Sequence, residues 1–85
     1  VSYEVIFDDE CIESLNKLET KIKERIFDKI ILTKSNPYRF FERLKGRKDY
    51  KMRVGDYRVI SDIDQKNRRI NIILIGHRKN VYQNI

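Results

Sequence analysis

Two arginines, Arg53 and Arg58, flank a Gly55-Asp56 pair, Lys51 lies just before them, and a His77-Arg78 pair followed by Tyr82 stands near the end of the chain. If Gly55-Asp56 is a two-residue hairpin turn, Val54 faces Tyr57, Arg53 faces Arg58 and Met52 faces Val59. Like charges opposite one another on a sheet are destabilising, so two opposed arginines with Lys51 on the same face ask for an anion. Continuing through a second hairpin with Asp64 opposite Arg69 sets Arg58 beside Ile75, with His77 on that same face and Arg78 leading out next to it. This register requires turns without a bulge, because a one-residue slip reverses the facing. Tyr82 offers an aromatic face of the kind that grips an unstacked RNA base.

Such a set suits cleavage of RNA. The chain to be cut supplies its own nucleophile, the 2′-OH, and needs a base for that proton, cations around the crowded phosphate and an acid for the departing 5′ oxygen. A lysine base must fall from about 10.4 to roughly 7–8, at a cost of about 4 kcal/mol. Two guanidinium groups about 6 Å away would each contribute roughly 3 kcal/mol at an effective dielectric of 20, before screening. This chemistry requires no metal and no cofactor, and a chain with one His and one Cys has no ligand set for a structural zinc.

Charge distribution agrees with a polyanionic partner. Of the formal net charge of +6, residues 1–36 hold 6 basic and 8 acidic side chains and residues 37–85 hold 13 and 5. Solvated surface charge is the plainer explanation for any one of these lysines and arginines, and Asp62 and Asp64 are available to neutralise part of the cluster. Their combination at separated positions is what points to a site.

The elements that must position the cluster follow from periodicity. The alternation Tyr3, Val5, Phe7 predicts a strand over 1–7. Asp8-Asp9-Glu10 begins a helix that ends near Leu18, with Cys11, Ile12, Leu15 and Leu18 on one face. Thr20 is a plausible N-cap for a second helix running to about Ser35, its stripe formed by Ile22, Ile26, Phe27, Ile30 and Ile31, and Asn36-Pro37 stops it. The short link predicts an antiparallel helical hairpin packed on a sheet. Residues 38–48 predict a helical turn and then a loop. Three alternating runs, Tyr50–Val54, Tyr57–Asp64 and Arg69–Gly76, predict an antiparallel meander, the last of them buried on both faces. The expected class is therefore α+β, a single domain over 1–85 in the order β-α-α-β-β-β with a short tail. The longest apolar run, Ile72–Ile75, is too short for a membrane span, and no signal-peptide core is visible, so a cytoplasmic location is expected. Cys11, without a second cysteine, reads as a small apolar helix residue.

The motifs LKG at 44–46, YKMRVGDYRVISDID at 50–64 and IGHRKNVY at 75–82 resemble the core signature of the RelE/ParE toxin superfamily. The resemblance implies a microbial RNase-like RelE fold and ribosome-dependent cleavage of mRNA by the toxin of a type II toxin–antitoxin system. Carried over by position, Lys51 corresponds to the proposed general base, Arg53 and Arg58 to residues that stabilise the phosphate, and Arg78 to one that protonates or stabilises the leaving group. Tyr82 corresponds to the tyrosine that stacks on message, and His77, counted with these in the catalytic set as the alternative to Arg78 for the acid role, to a place where another basic residue is usual. Lys45, Arg47 and Lys48 are expected to bind substrate. The implied partners are a cognate antitoxin, helical or partly disordered, and a ribosome with mRNA in its A site; Leu32, off the main helical stripe, is a candidate antitoxin contact. Two competing readings are a ParE-like inhibitor of DNA gyrase and a non-catalytic module of the same fold that binds RNA or antitoxin.

Overall fold

The computed structural model describes residues 2–82, so Val1 and the tail at 83–85, both covered by the sequence expectations, lie outside the described residues. The described elements are β1 (Glu4–Phe7), α1 (Asp9–Asn16), α2 (Thr20–Leu32), a single 3₁₀ turn at Pro37–Arg39, β2 (Glu42–Arg43), β3 (Tyr50–Val54), β4 (Tyr57–Asp64), β5 (Arg69–His77) and α3 (Arg78–Val81). They form the expected α+β arrangement, with five strands in the order β1-β5-β4-β3-β2. The meander β3-β4-β5 is antiparallel, and β1 joins β5 in parallel.

Local chemistry sets the boundaries. Asp8 caps α1, its carboxylate accepting from the Glu10 N–H at 2.9 Å. The helix ends at Asn16 rather than Leu18. Thr20 is the first residue of α2 and not its cap; Glu19 occupies the cap position without a side-chain bond. The helix stops at Leu32 rather than Ser35, because the Thr33 N–H and hydroxyl both turn back to the Ile30 carbonyl. The segment expected to be turn and loop contains in addition β2, which pairs Glu42 with Lys51 and Arg43 with Tyr50.

The helical hairpin covers one face of the sheet. Ile26 and Ile30 of α2, Cys11 and Leu15 of α1, and Met52, Val54, Val59, Ile70, Ile72 and Ile75 of the strands share the core. Phe27 and Ile31, expected in the α2 stripe, are 43% and 42% exposed. The positions 22, 26 and 30 repeat every fourth residue and face the sheet, which turns 27 and 31 to the shoulder of the helix. There the Phe27 ring stacks on Phe7 at 6.3 Å, beside an apolar groove of about 350 Å³ lined by Phe7, Ile12, Leu15 and Phe27. Leu32 is exposed.

Strand β5 departs from strict alternation. Asp64 faces Arg69, as expected, and the ladder holds to Ser61 opposite Ile72, but the next pair is Ile60 with Leu74. Ile73 is left without a partner in a β-bulge. The reason is in the side chains: Ile70, Ile72 and Ile75 are all buried in the core, and positions 72 and 75 reach one face only if an extra residue lies between them. Ile73 is consequently exposed, and β5 is an interior strand that is not buried on both sides.

The Cys11 thiol is buried and donates to the Ile72 carbonyl at 3.4 Å. Burial, and then the charges of Asp8 and Glu10, push its pKa up to about 11. It should resist alkylation at pH 8 in the folded protein and react once the protein is denatured; rapid labelling of native protein would contradict this packing. The bulge makes a second prediction. Ile75→Ala should cost about 2–5 kcal/mol in denaturant unfolding, whereas Ile73→Ala should cost under about 1 kcal/mol, and similar losses at both sites would disprove the register.

Candidate functional site

On the sheet face opposite the helical hairpin, the pairing register puts Lys51 and Arg53 of β3 beside Arg58 and Ile60 of β4 and Leu74 and Gly76 of β5. The first hairpin has the expected pairs, Arg53 with Arg58 and Met52 with Val59. Gly55, at φ +59°, is the only residue of the Gly55-Asp56 turn in the left-handed region, as a type II′ turn requires at its first central position.

The three basic strand residues differ in environment. Arg53 is exposed and Lys51 half-buried, and neither side chain makes a hydrogen bond or ion pair among the described residues. Arg58 is only 6% exposed. Its Nη1 donates at 2.9 Å to the carbonyls of both Gly55 and Tyr57, so the guanidinium folds back on its own turn and is not held out opposite Arg53. No acidic side chain among the described residues lies within ion-pairing distance of it. A buried cation satisfied only by carbonyls keeps its full charge and favours an arriving anion.

Helix α3 packs against β4 and β5 and closes one end of this face. Val81, 1% exposed, reaches over Gly76, where a Cβ would stand 3.7 Å from the valine Cβ. Arg78 begins α3 with its N–H donating to the Asp56 carbonyl at 2.8 Å, and its Nε lies 3.7 Å from the Asp56 carboxylate. Tyr82 follows at the end of the helix, 41% exposed.

His77 requires a correction. Because of the bulge, Arg58 pairs with Gly76 rather than Ile75, and His77 pairs with Tyr57, on the side of the helical hairpin. Its ring meets Tyr57 edge-on at 5.4 Å, and its Nδ1 accepts from the Lys79 N–H at 3.2 Å, capping α3. This histidine serves as a structural hinge between β5 and the helix that bears Arg78 and Tyr82, and it does not share the face of Lys51.

Lys45, Arg47 and Lys48 lie in the turn between β2 and β3, closed by Leu44 N–H to Asp49 carbonyl at 2.9 Å. Arg47 is paired with Asp49 at 3.1 Å and supports Arg43 through its carbonyl, so it braces the turn, while Lys45 and Lys48 have no ion-pair partner among the described residues. Asp64 is engaged by its own turn: Asn67 donates to it from backbone and side chain, holding its carboxyl below the usual carboxylate range. Asp62 is contacted by Asn71 at 3.4 Å. Neither acid neutralises the cluster. Three neighbours of the basic residues escaped sequence reasoning. Glu42 stands directly across from Lys51, Asp56 meets Arg78, and Lys29 of α2 donates to the Arg53 carbonyl at 2.7 Å. A two-residue strand has no periodicity to reveal Glu42, and Lys29 is one of many helical lysines. Among the described residues no group of His, Cys, Asp and Glu side chains is placed to hold a metal ion, and no helix is long and apolar enough to cross a membrane.

The cap predicts a graded response at position 77. His77→Asn, which keeps a side-chain acceptor, should leave exchange protection of the Lys79 amide largely intact, whereas His77→Ala should loosen α3 by about 1 kcal/mol. Equal protection in both variants would remove the capping role.

Comparison with known proteins agrees with this architecture. Residues 5–82 match the family model of the ParE toxin of type II toxin–antitoxin systems. No curated protein matches the chain in sequence. Among solved structures, the RelBE2 toxin–antitoxin complex from Mycobacterium tuberculosis has a chain that is 25% identical, with a TM-score of 0.82 over 92% of this chain and 100% of that one. The archaeal RelE–RelB complex from Pyrococcus horikoshii OT3 gives 24% identity and a TM-score of 0.81, over 95% of this chain and 100% of that one. The isolated RelE toxin of E. coli gives 21% and 0.77, over 96% and 93%. With the family model covering nearly all of the described residues, the chain belongs to the ParE toxin family of type II toxin–antitoxin systems, within the RelE/ParE superfamily.

Proposed function

We propose that this toxin is a ribosome-dependent endoribonuclease that cuts mRNA by 2′-OH attack on the adjacent phosphate. The observation that carries the reading is a sheet face bearing Lys51, Arg53 and the buried Arg58, none with an acidic ion-pair partner among the described residues, with α3, which begins at Arg78 and is followed by Tyr82, packed against the same strands. Lys51 takes the 2′-OH proton as the new P–O2′ bond forms. Arg53 and Arg58 offset the charge that builds on the phosphate oxygens. The P–O5′ bond then breaks, Arg78 stabilises the leaving 5′ oxygen, and a water proton completes the 5′-OH, leaving a 2′,3′-cyclic phosphate. Tyr82 stacks on a base, and Lys45, Arg47 and Lys48 meet the RNA backbone. The 2′-OH supplies the nucleophile, so the scheme calls for no metal or cofactor. The cell compartment is the cytoplasm, the site of translation.

The partners in this reading are a ribosome presenting message in the A site and a cognate antitoxin. The structural relatives from M. tuberculosis and P. horikoshii are toxin–antitoxin complexes, which supports the second of these. The name of the matching family favours one alternative, a ParE-like toxin that blocks DNA gyrase by binding.

Induction in cells should produce new message 5′ ends within translated codons, and Lys51→Ala or Arg78→Ala should lower cleavage by at least about a hundredfold in a domain that still folds. Intact messages together with blocked supercoiling would establish the gyrase reading instead. Full toxicity of both alanine variants would remove these residues from the reaction.

A further inference from the structure

The Gly55-Asp56 turn has a second role besides reversing the chain. Its successive carbonyls are each claimed by an arginine: those of Gly55 and Tyr57 by the Arg58 guanidinium, and that of Asp56 by the Arg78 main-chain N–H. The turn therefore fixes the two arginines relative to each other, although one lies on β4 and the other begins α3. Asp56 adds a carboxylate 3.7 Å from Arg78 Nε. Both side chains are well exposed, 56% for Arg78 and 70% for Asp56, so the pair adds little to stability. Its effect is directional. A guanidinium approached at Nε keeps its two terminal amino groups for a planar, two-pronged grip on a phosphate or a leaving oxygen.

We infer that Asp56 is a positioning residue for Arg78, its carboxylate drawing the guanidinium by charge from the Nε side, at a distance longer than a hydrogen bond, so that the terminal nitrogens are presented to the anion on the basic sheet face. The inference rests on the message-cleaving reading for its consequence in catalysis, and on the turn geometry alone for the contact itself. Asp56 also carries a negative charge next to a site for RNA, where it costs binding. Its removal should therefore lower the catalytic rate without weakening RNA binding, a pattern that loss of folded protein does not produce together with tighter binding.

The test uses the whole chain. In 15N spectra the Arg78 Nε–Hε vector should be ordered in the unaltered protein and more mobile in both Asp56→Ala and Asp56→Asn, neither of which carries the attracting charge. On ribosomes programmed with message, Asp56→Ala should lower kcat roughly tenfold with KM unchanged or reduced. In an Arg78→Lys background, which keeps the charge but has no planar guanidinium to orient, Asp56→Ala should cause no further loss in kcat. An Arg78 Nε–Hε vector equally mobile with and without the carboxylate overturns the contact. Greater mobility with unchanged kcat, or an undiminished loss in the Arg78→Lys background, overturns the positioning role. If the unaltered protein cuts no message, the function reading has failed, and the spectra still decide whether Asp56 holds Arg78.

Discussion

The rest of the molecule depends on how β5 accommodates three different neighbours. It pairs in parallel with β1 and antiparallel with β4, and it must hand the chain on to α3. Burying Ile70, Ile72 and Ile75 on the same face forces Ile73 out of the ladder, and from that point each residue of β5 changes sides relative to strict alternation. Gly76 therefore arrives beside Arg58 without a side chain to obstruct it, and Val81 can close down over it. His77 arrives on the hairpin side, against Tyr57, where it can cap the next helix. A hydrophobic requirement in the core thus decides what surrounds a cation on the opposite face.

Around that cation the design is economical in acid. Arg58 is dehydrated and held by two carbonyl dipoles, which orient it without cancelling its charge. The acids of the second half of the chain are engaged at the margins: Asp49 with Arg47, Asp64 with Asn67, Asp56 with Arg78. Glu42 is the acid placed directly across from a basic residue of the face, opposite Lys51. The resulting surface is attractive to phosphate yet has fixed geometry, because its most buried cation spends its hydrogen bonds on the turn that it also stabilises.

Much of this was legible in the sequence. The α+β order, the helical hairpin, the meander and the pairs Arg53–Arg58 and Met52–Val59 followed from alternation and from a Gly-containing two-residue turn. The basic face itself was legible for the same reason. The bulge was not, since Ile72-Ile73-Leu74-Ile75 offers apolar residues in both phases, and only the packing of Ile75 selects one. The misplacement of His77 and of the Arg58 neighbour followed from that single residue. The inward fold of Arg58 was also hidden, because its partners are main-chain carbonyls, which every sequence possesses. Strand β2 was missed because two residues are too few to show a period.

The bond from Lys29 to the Arg53 carbonyl has a consequence of another kind. Strand β2 covers only Tyr50 and Lys51 of β3, so the outer half of β3 is an open margin of the sheet. Such a margin is a template on which a foreign strand, or a second copy of the same chain, can grow. An ammonium reaching down from α2 occupies the acceptor that such a strand would need and sets a positive charge across its path. The strand that carries Arg53 is thereby guarded against edge-to-edge pairing along the half that β2 leaves open.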